Sequence, residues 1–115
     1  MTNKRQHKRV TIKSIGDVFC IDDNRRFKSF VGGISRGGME IYSQEMVNRD
    51  CRLKISLSFL DKDGKPTVEN LTGQVRWSAA FQDAYIAGIQ FDVLVDEDTT
   101  PALAYYIENA ERYFT

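Results

Sequence analysis

Arg5 and Arg9 carry the chemistry in this chain that folding does least to explain. They bracket the run Arg5-Gln6-His7-Lys8-Arg9, directly before the first apolar stretch. Lys4, Arg5, Lys8, Arg9 and Lys13 crowd this segment with no acid among them. Each guanidinium is a planar fork of donors that grips a phosphate through two hydrogen bonds or meets the O6/N7 edge of guanine. Two of them four residues apart, on a flexible arm, can fold over one anion. Taken alone, the same spacing reads more simply as a solvated basic terminus. Lys8, between them, is a weaker candidate for the same anion.

A second segment asks for a ligand: Gly32-Gly33-Ile34-Ser35-Arg36-Gly37-Gly38-Met39. Glycines on both sides of a serine let backbone approach a ligand closely, and the Ser35 hydroxyl both donates and accepts. Alone, this is a turn between strands. Arg36 and Gly37 rank behind Gly33, Ser35 and Gly38 as ligand contacts, Arg36 reading first as a solvated charge. Trp77 can stack on a base, but its alternation with Val75 and Ala79 assigns it first to a barrel core or rim.

The chain offers little to build an enzyme or a metal centre. His7 is the one histidine, and no nucleophile elbow, phosphate-binding Gly-Lys-Ser/Thr loop or metal-ligand cluster occurs. The expectation is no catalysis and no metal. The 115 residues suffice for one core, and 42% apolar with 28% charged composition is that of a globular domain. The formal net charge is zero, which leaves the chain as a whole without an electrostatic case for nucleic acid or a membrane surface. No stretch approaches the roughly 20 apolar residues of a membrane span. A soluble, cytoplasmic protein is expected. Accordingly, Cys20 and Cys51, each in an apolar run and without Cys-x-x-Cys spacing, are read as buried reduced thiols in preference to a disulfide.

The elements that must hold these residues are mostly strands. Cys51, Leu53, Ile55, Leu57 and Phe59 alternate with Arg52, Lys54, Ser56 and Ser58, the period of a half-buried strand. Gly73, Val75, Trp77, Ala79 and Phe81 form a second alternation, and Tyr85, Ala87, Ile89, Phe91 and Val93 a third. Shorter strands are expected at Val10–Ile12, Asp17–Ile21, Phe27–Val31 and Met39–Tyr42. Turns fall at Asp22-Asp23-Asn24, in a tight connection bracketed by Gly32-Gly33 and Gly37-Gly38, and at Asp61-Lys62-Asp63-Gly64-Lys65-Pro66, a hairpin signal.

Only the C-terminal segment changes period. Leu103, Tyr106, Ile107, Ala110 and Phe114 make one helical stripe, with Thr100 as N-cap and Pro101 at the first position, predicting a helix over about 101–113. The aromatics Tyr105, Tyr106, Tyr113 and Phe114 point first to packing on the strands, and second to a partner face or a homodimer. The period reading gives an antiparallel barrel or sandwich with one terminal helix.

In order and spacing together, the two ligand-seeking segments resemble the PilZ domain family, with its Arg-x-x-x-Arg arm followed by an Asp/Asn-x-Ser-x-x-Gly loop. Arg5 and Arg9 match the first motif; Ser35 and Gly38 match the second. Ile34, Met39, Gly73-Gln74-Val75-Arg76-Trp77 and Gly88-Ile89-Gln90-Phe91 extend the similarity over roughly Arg5 to Val93. Gly33 departs: the family has Asp or Asn there, a side chain that helps hold a guanine edge. The resemblance implies a mainly β, six-stranded antiparallel barrel with a C-terminal helix. It also implies a non-enzymatic receptor for cyclic di-GMP that signals to a downstream partner protein. Residues 1–9 would be a mobile arm and 10–115 the barrel domain. Arg5, Arg9, Gly33, Ser35 and Gly38 would form the ligand site. On the same fold, the rivals are an interaction module that has lost the ligand and, less favoured, a nucleic-acid-binding barrel.

Overall fold

The computed structural model describes residues 9–12 and 14–114, with the backbone alone at 111–114. Arg5 and Lys8 therefore lie outside the described residues. Among those described are six strands and one helix. In chain order they are β1 (Ile15–Cys20), β2 (Arg25–Ile34), β3 (Gly38–Ser43), β4 (Arg52–Leu60), β5 (Pro66–Phe81), β6 (Ala84–Phe91) and α1 (Pro101–Phe114). All neighbouring strands are antiparallel, and β1 pairs with β4 to close a barrel of order β1-β2-β3-β6-β5-β4. This resolves the choice between sandwich and barrel.

Alternation in β4 carries through to the core. Cys51, Leu53, Ile55, Leu57 and Phe59 are all buried while Arg52, Lys54 and Ser58 face water. Each fully buried Leu or Ile side chain contributes about 1.5–3 kcal/mol through the area it removes from water. The two halves of β5 serve different partners. Pro66–Gln74 pairs with β4 and Gly73–Phe81 with β6, so this strand begins seven residues before its predicted alternation. Asp61 folds the β4–β5 hairpin by accepting hydrogen bonds from the amides of Asp63 and Lys65, both at 2.9 Å. The Lys65 amide foremost, with the Asp63 amide and the Thr67 hydroxyl, holds its carboxyl below the ordinary value of 3.8.

Two bulges set which side chains face out. In β5 the pairing moves from Val75↔Ile89 to Trp77↔Gly88, leaving Arg76 as the extra residue. An added residue in a period-two strand exchanges its faces. Gly73 and Val75 therefore point inward, whereas Trp77 and Phe81 are 42% and 49% exposed. Of the two places expected for Trp77, barrel core or rim, the bulge rules out the core. In β2 the shift lies between Val31 and Gly33, so Gly32-Gly33 is a bulge within the strand, and the tight connection between the glycine pairs is confined to residues 35–37. A Cβ at Gly32 would meet the Tyr42 ring.

The first predicted strand shrinks to a bridge. Val10 and Ile12 are buried in the core, but only Val10 pairs, with Ile34. Helix α1 covers one side of the core with Leu103, Ala104 and Ile107, all buried, while Tyr106 donates from its hydroxyl to the carbonyl of Thr11 at 2.9 Å. Its N-terminus is capped from outside the local sequence. The two carboxylate oxygens of Glu69, on β5, accept from the amides of Ala102 and Leu103, each at 2.9 Å. Thr100, predicted as the cap, turns back to Asp96 instead: its hydroxyl accepts from the Asp96 amide at 3.3 Å. Asp96 in turn accepts from the amide and hydroxyl of Thr99, which lower its carboxyl from 3.8.

The cysteines also correct the expectation. Cys20 closes β1, Cys51 precedes β4, and the two form a disulfide with Cα atoms 6.8 Å apart. Antiparallel pairing of β1 with β4, which sets Cys20 opposite Leu53, brings the thiols together across 31 residues of sequence.

Candidate functional site

The end of the arm is fastened beside the glycine-serine turn by two backbone hydrogen bonds. The Val10 amide donates to the Ile34 carbonyl and the Ile34 amide donates to the Val10 carbonyl, both at 2.8 Å. Arg9 therefore emerges next to Gly33. Its methylenes lie across that glycine: a Cβ at position 33 would be 2.8 Å from Arg9 Cδ and 3.0 Å from Cγ. Gly33 is buried although it faces outward, because the Arg9 side chain covers it. From there Arg9 Nη1 donates to Glu40 Oε2 on β3.

Ser35 forms the turn between β2 and β3. Its amide donates to the Gly38 carbonyl at 2.8 Å, and its hydroxyl accepts from the Gly37 amide at 3.3 Å and donates to the Gly38 carbonyl at 3.4 Å. These last two bonds are long, and the serine is half-buried, so the hydroxyl can be exchanged to another partner at small loss. Gly38 opens β3 against β6, where a Cβ would run into the carbonyl of Ile89. The turn is anchored from behind: the Gly37 carbonyl accepts from the Phe91 amide at 2.9 Å and that of Arg36 from the Val95 amide at 2.8 Å.

Arg36 is directed elsewhere. Nη1 donates to the Val95 carbonyl at 3.3 Å and Nη2 lies 4.0 Å from the Glu108 carboxylate of α1. Its guanidinium joins the turn to the helix and is not set against Arg9. Trp77 is nearer the site than alternation suggested. Gly33, Glu40, Gly88 and Trp77 are successive register partners across β2, β3, β6 and β5. The indole lies on Gly88, whose missing Cβ leaves the room. The outer face thus carries a row that runs from a guanidinium, past a carboxylate, to an exposed aromatic ring. A guanidinium can take a phosphate oxygen, a serine hydroxyl can take a second, and an indole face can take a base.

The structure thus lays Arg9 on Gly33, ties Ser35 to Gly37 and Gly38 in the turn that follows, sets Trp77 in the same cross-strand row as Gly33, and turns Arg36 toward Val95 and Glu108. Sequence reasoning passed over Glu40. Its signal was available in β3, where Met39 and Ile41 must face inward and Glu40 outward. Among the described residues there is no cluster of metal-ligating side chains, and no helix is long and apolar enough to cross a membrane.

Comparison with known proteins bears on this arrangement. The model of the PilZ domain family matches residues 3–109. No curated protein matches the chain. Among solved structures, the Bacillus subtilis inhibitor of motility MotI/DgrA superposes with a TM-score of 0.76 at 11% identity, over 99% of this chain and 54% of its own. The PilZ domain of YcgR from Escherichia coli, solved with c-di-GMP, gives 0.67 at 14% identity, over 96% of this chain and 94% of its own. MrkH of K. pneumonia, solved as a c-di-GMP complex, gives 0.67 at 14% identity, over 97% of this chain and 56% of its own. The chain thus spans about half the length of two of these three neighbours, and at such identities the likeness is one of fold.

Proposed function

This chain belongs to the PilZ domain family, and from that premise we propose that it is a non-enzymatic receptor for cyclic di-GMP. Arg9, with Arg5 from the segment before it, grips the phosphates and guanine edges of the messenger. Ser35 exchanges its long bond to Gly38 for one to the ligand, and Gly33, Gly37 and Gly38 admit the ligand close to the backbone. One observation carries the reading: the paired hydrogen bonds of Val10 and Ile34 hold Arg9 on Gly33, two residues before Ser35 in the chain. Residues 31 positions apart in sequence, Arg9 and Glu40, meet there. That two fold neighbours were solved with c-di-GMP supports the choice of ligand.

In this reading Arg9 and the segment before it close over the bound messenger, and the reshaped surface is what a downstream protein recognises. Such a receptor is placed in the cytoplasm in this reading. A reducing pool keeps most thiols free there, so the bond between Cys20 and Cys51 would be transient in that compartment. Calorimetric titration with cyclic di-GMP, on wild type and on Arg9→Ala, tests the proposal. Heat of binding in the wild type that vanishes in the variant is the expected outcome; identical traces would sink it.

A second reading has a specific observation behind it. Position 33 lacks the family's acidic or amide side chain, and Arg9 already has a carboxylate partner. An interaction module that keeps the barrel and no longer binds the messenger would look like this. It predicts no heat at ligand concentrations of several hundred micromolar.

A further inference from the structure

We infer that Glu40 is a built-in competitor for the ligand's charge: it holds Arg9 against the barrel in the free protein, and an anion must draw the guanidinium away before it is bound. The identity of that anion rests on the receptor reading above; the holding contact does not.

The contact is constructed by three features of different origin. Alternation in β3 sends Glu40 outward between the buried Met39 and Ile41. Register places it opposite Gly33, one strand away. The absent side chain at Gly33 leaves a channel in which the Arg9 methylenes lie, and any Cβ there would meet them at 2.8 Å. The Val10–Ile34 bridge then fixes the backbone one residue from Arg9, so the guanidinium reaches Glu40 with little further ordering. The two side chains keep only 32% and 20% of their exposure, which screens the pair less than an open surface pair. Across β6, the facing position is Gly88, which has no side chain to offer Glu40 instead.

The consequence for binding follows from charge. A phosphate that settles on Arg9 comes within a few ångströms of the Glu40 carboxylate, and like charges at that range repel. Binding therefore exchanges one charge-assisted hydrogen bond for another and adds repulsion, where a free arginine would gain a bond outright. The apparent dissociation constant is raised by the inverse of the fraction of molecules in which Arg9 is released. Glu40 is in this sense a positioning residue: it sets the concentration at which the domain responds.

Glu40→Gln, close in shape and uncharged, tests this with two readouts on the full chain. The first needs no ligand. Exchange of the Arg9 guanidinium N–H protons with water, followed by NMR, requires that group to leave Glu40, and in the variant it should be roughly two- to fivefold faster, the scale of a partly exposed ion pair. The second is calorimetric titration with cyclic di-GMP. Glu40→Gln should bind about two- to fivefold more tightly, and the gain should be absent when Arg9→Ala is also present, as coupling of the pair demands. Unchanged exchange overturns the inference, and so does weaker binding in Glu40→Gln, which would make Glu40 a support for the ligand. If neither protein binds the messenger while exchange accelerates, the holding contact stands and the receptor reading falls.

Discussion

Replacing Gly33 by Asp puts the geometry of the site to a quantitative test. The backbone permits it, since Gly64 is the one described glycine with positive φ. The new Cβ would meet Arg9 Cδ at 2.8 Å and Cγ at 3.0 Å, so the arginine stem must move by a few tenths of an ångström. Those atoms belong to a flexible side chain, and weakening the Arg9–Glu40 pair costs the free protein at most about 1 kcal/mol, which eases release of Arg9 and does not oppose binding. The site also gains a carboxylate able to accept from a guanine edge. A hydrogen bond to a charged group contributes about 1.5–3 kcal/mol net. Gly33→Asp should therefore bind cyclic di-GMP about ten- to a hundredfold more tightly than wild type. Gly33→Ala supplies the same Cβ without the carboxylate and should gain no more than the roughly fivefold of a loosened Arg9–Glu40 pair. Calorimetric titration of the three proteins separates the effects. Equal affinity for the Asp and Ala variants would refute the reasoning, because position 33 would then act through space alone.

Two further outcomes follow from contacts outside the site. Glu69→Ala removes both hydrogen bonds that cap α1 and should lower unfolding stability by about 2 kcal/mol, read as a fall in urea midpoint at constant slope; a change below about 0.5 kcal/mol would mean that solvent caps the helix equally well. Reduction of the Cys20–Cys51 bond frees a loop of 31 residues, and chain entropy sets its contribution at about 3–4 kcal/mol. Thermal unfolding with and without a reductant should show the loss as a drop of roughly 10–15 °C, and coincident curves would contradict it.

How much of this was legible in the residues depends on how local the signal was. The β4 alternation was readable because one face of that strand is buried without interruption from Cys51 to Phe59. Helix α1 was readable by its period and by Pro101, and the observed Pro101–Phe114 differs by one residue at its end. What escaped depends on partners far along the chain. The bulge at Arg76 exchanges the faces of β5 at a point where the hydrophobic alternation continues undisturbed, so alternation alone left Trp77 between core and rim. The cap from Glu69 acts across 33 residues, and the cysteines meet only once β1 has paired with β4. For the candidate site, the motif residues were singled out by their resemblance to the family pattern. The meaning of Gly33 was not, because it lies in the path of the Arg9 side chain toward Glu40 and no run of residues displays that path.

The account turns on Arg9 and the Ser35 turn acting as one seat for a doubly charged nucleotide. The most direct measurement is an amide NMR titration of the wild-type chain with cyclic di-GMP. Saturable shifts concentrated at Arg9, Gly33, Ser35, Gly37 and Gly38 are predicted, and Arg9→Ala should abolish them. Saturable shifts centred elsewhere, such as the groove between α1 and the β4–β5 hairpin around Leu60 and Tyr105, would contradict it, as would a spectrum that the messenger leaves unchanged.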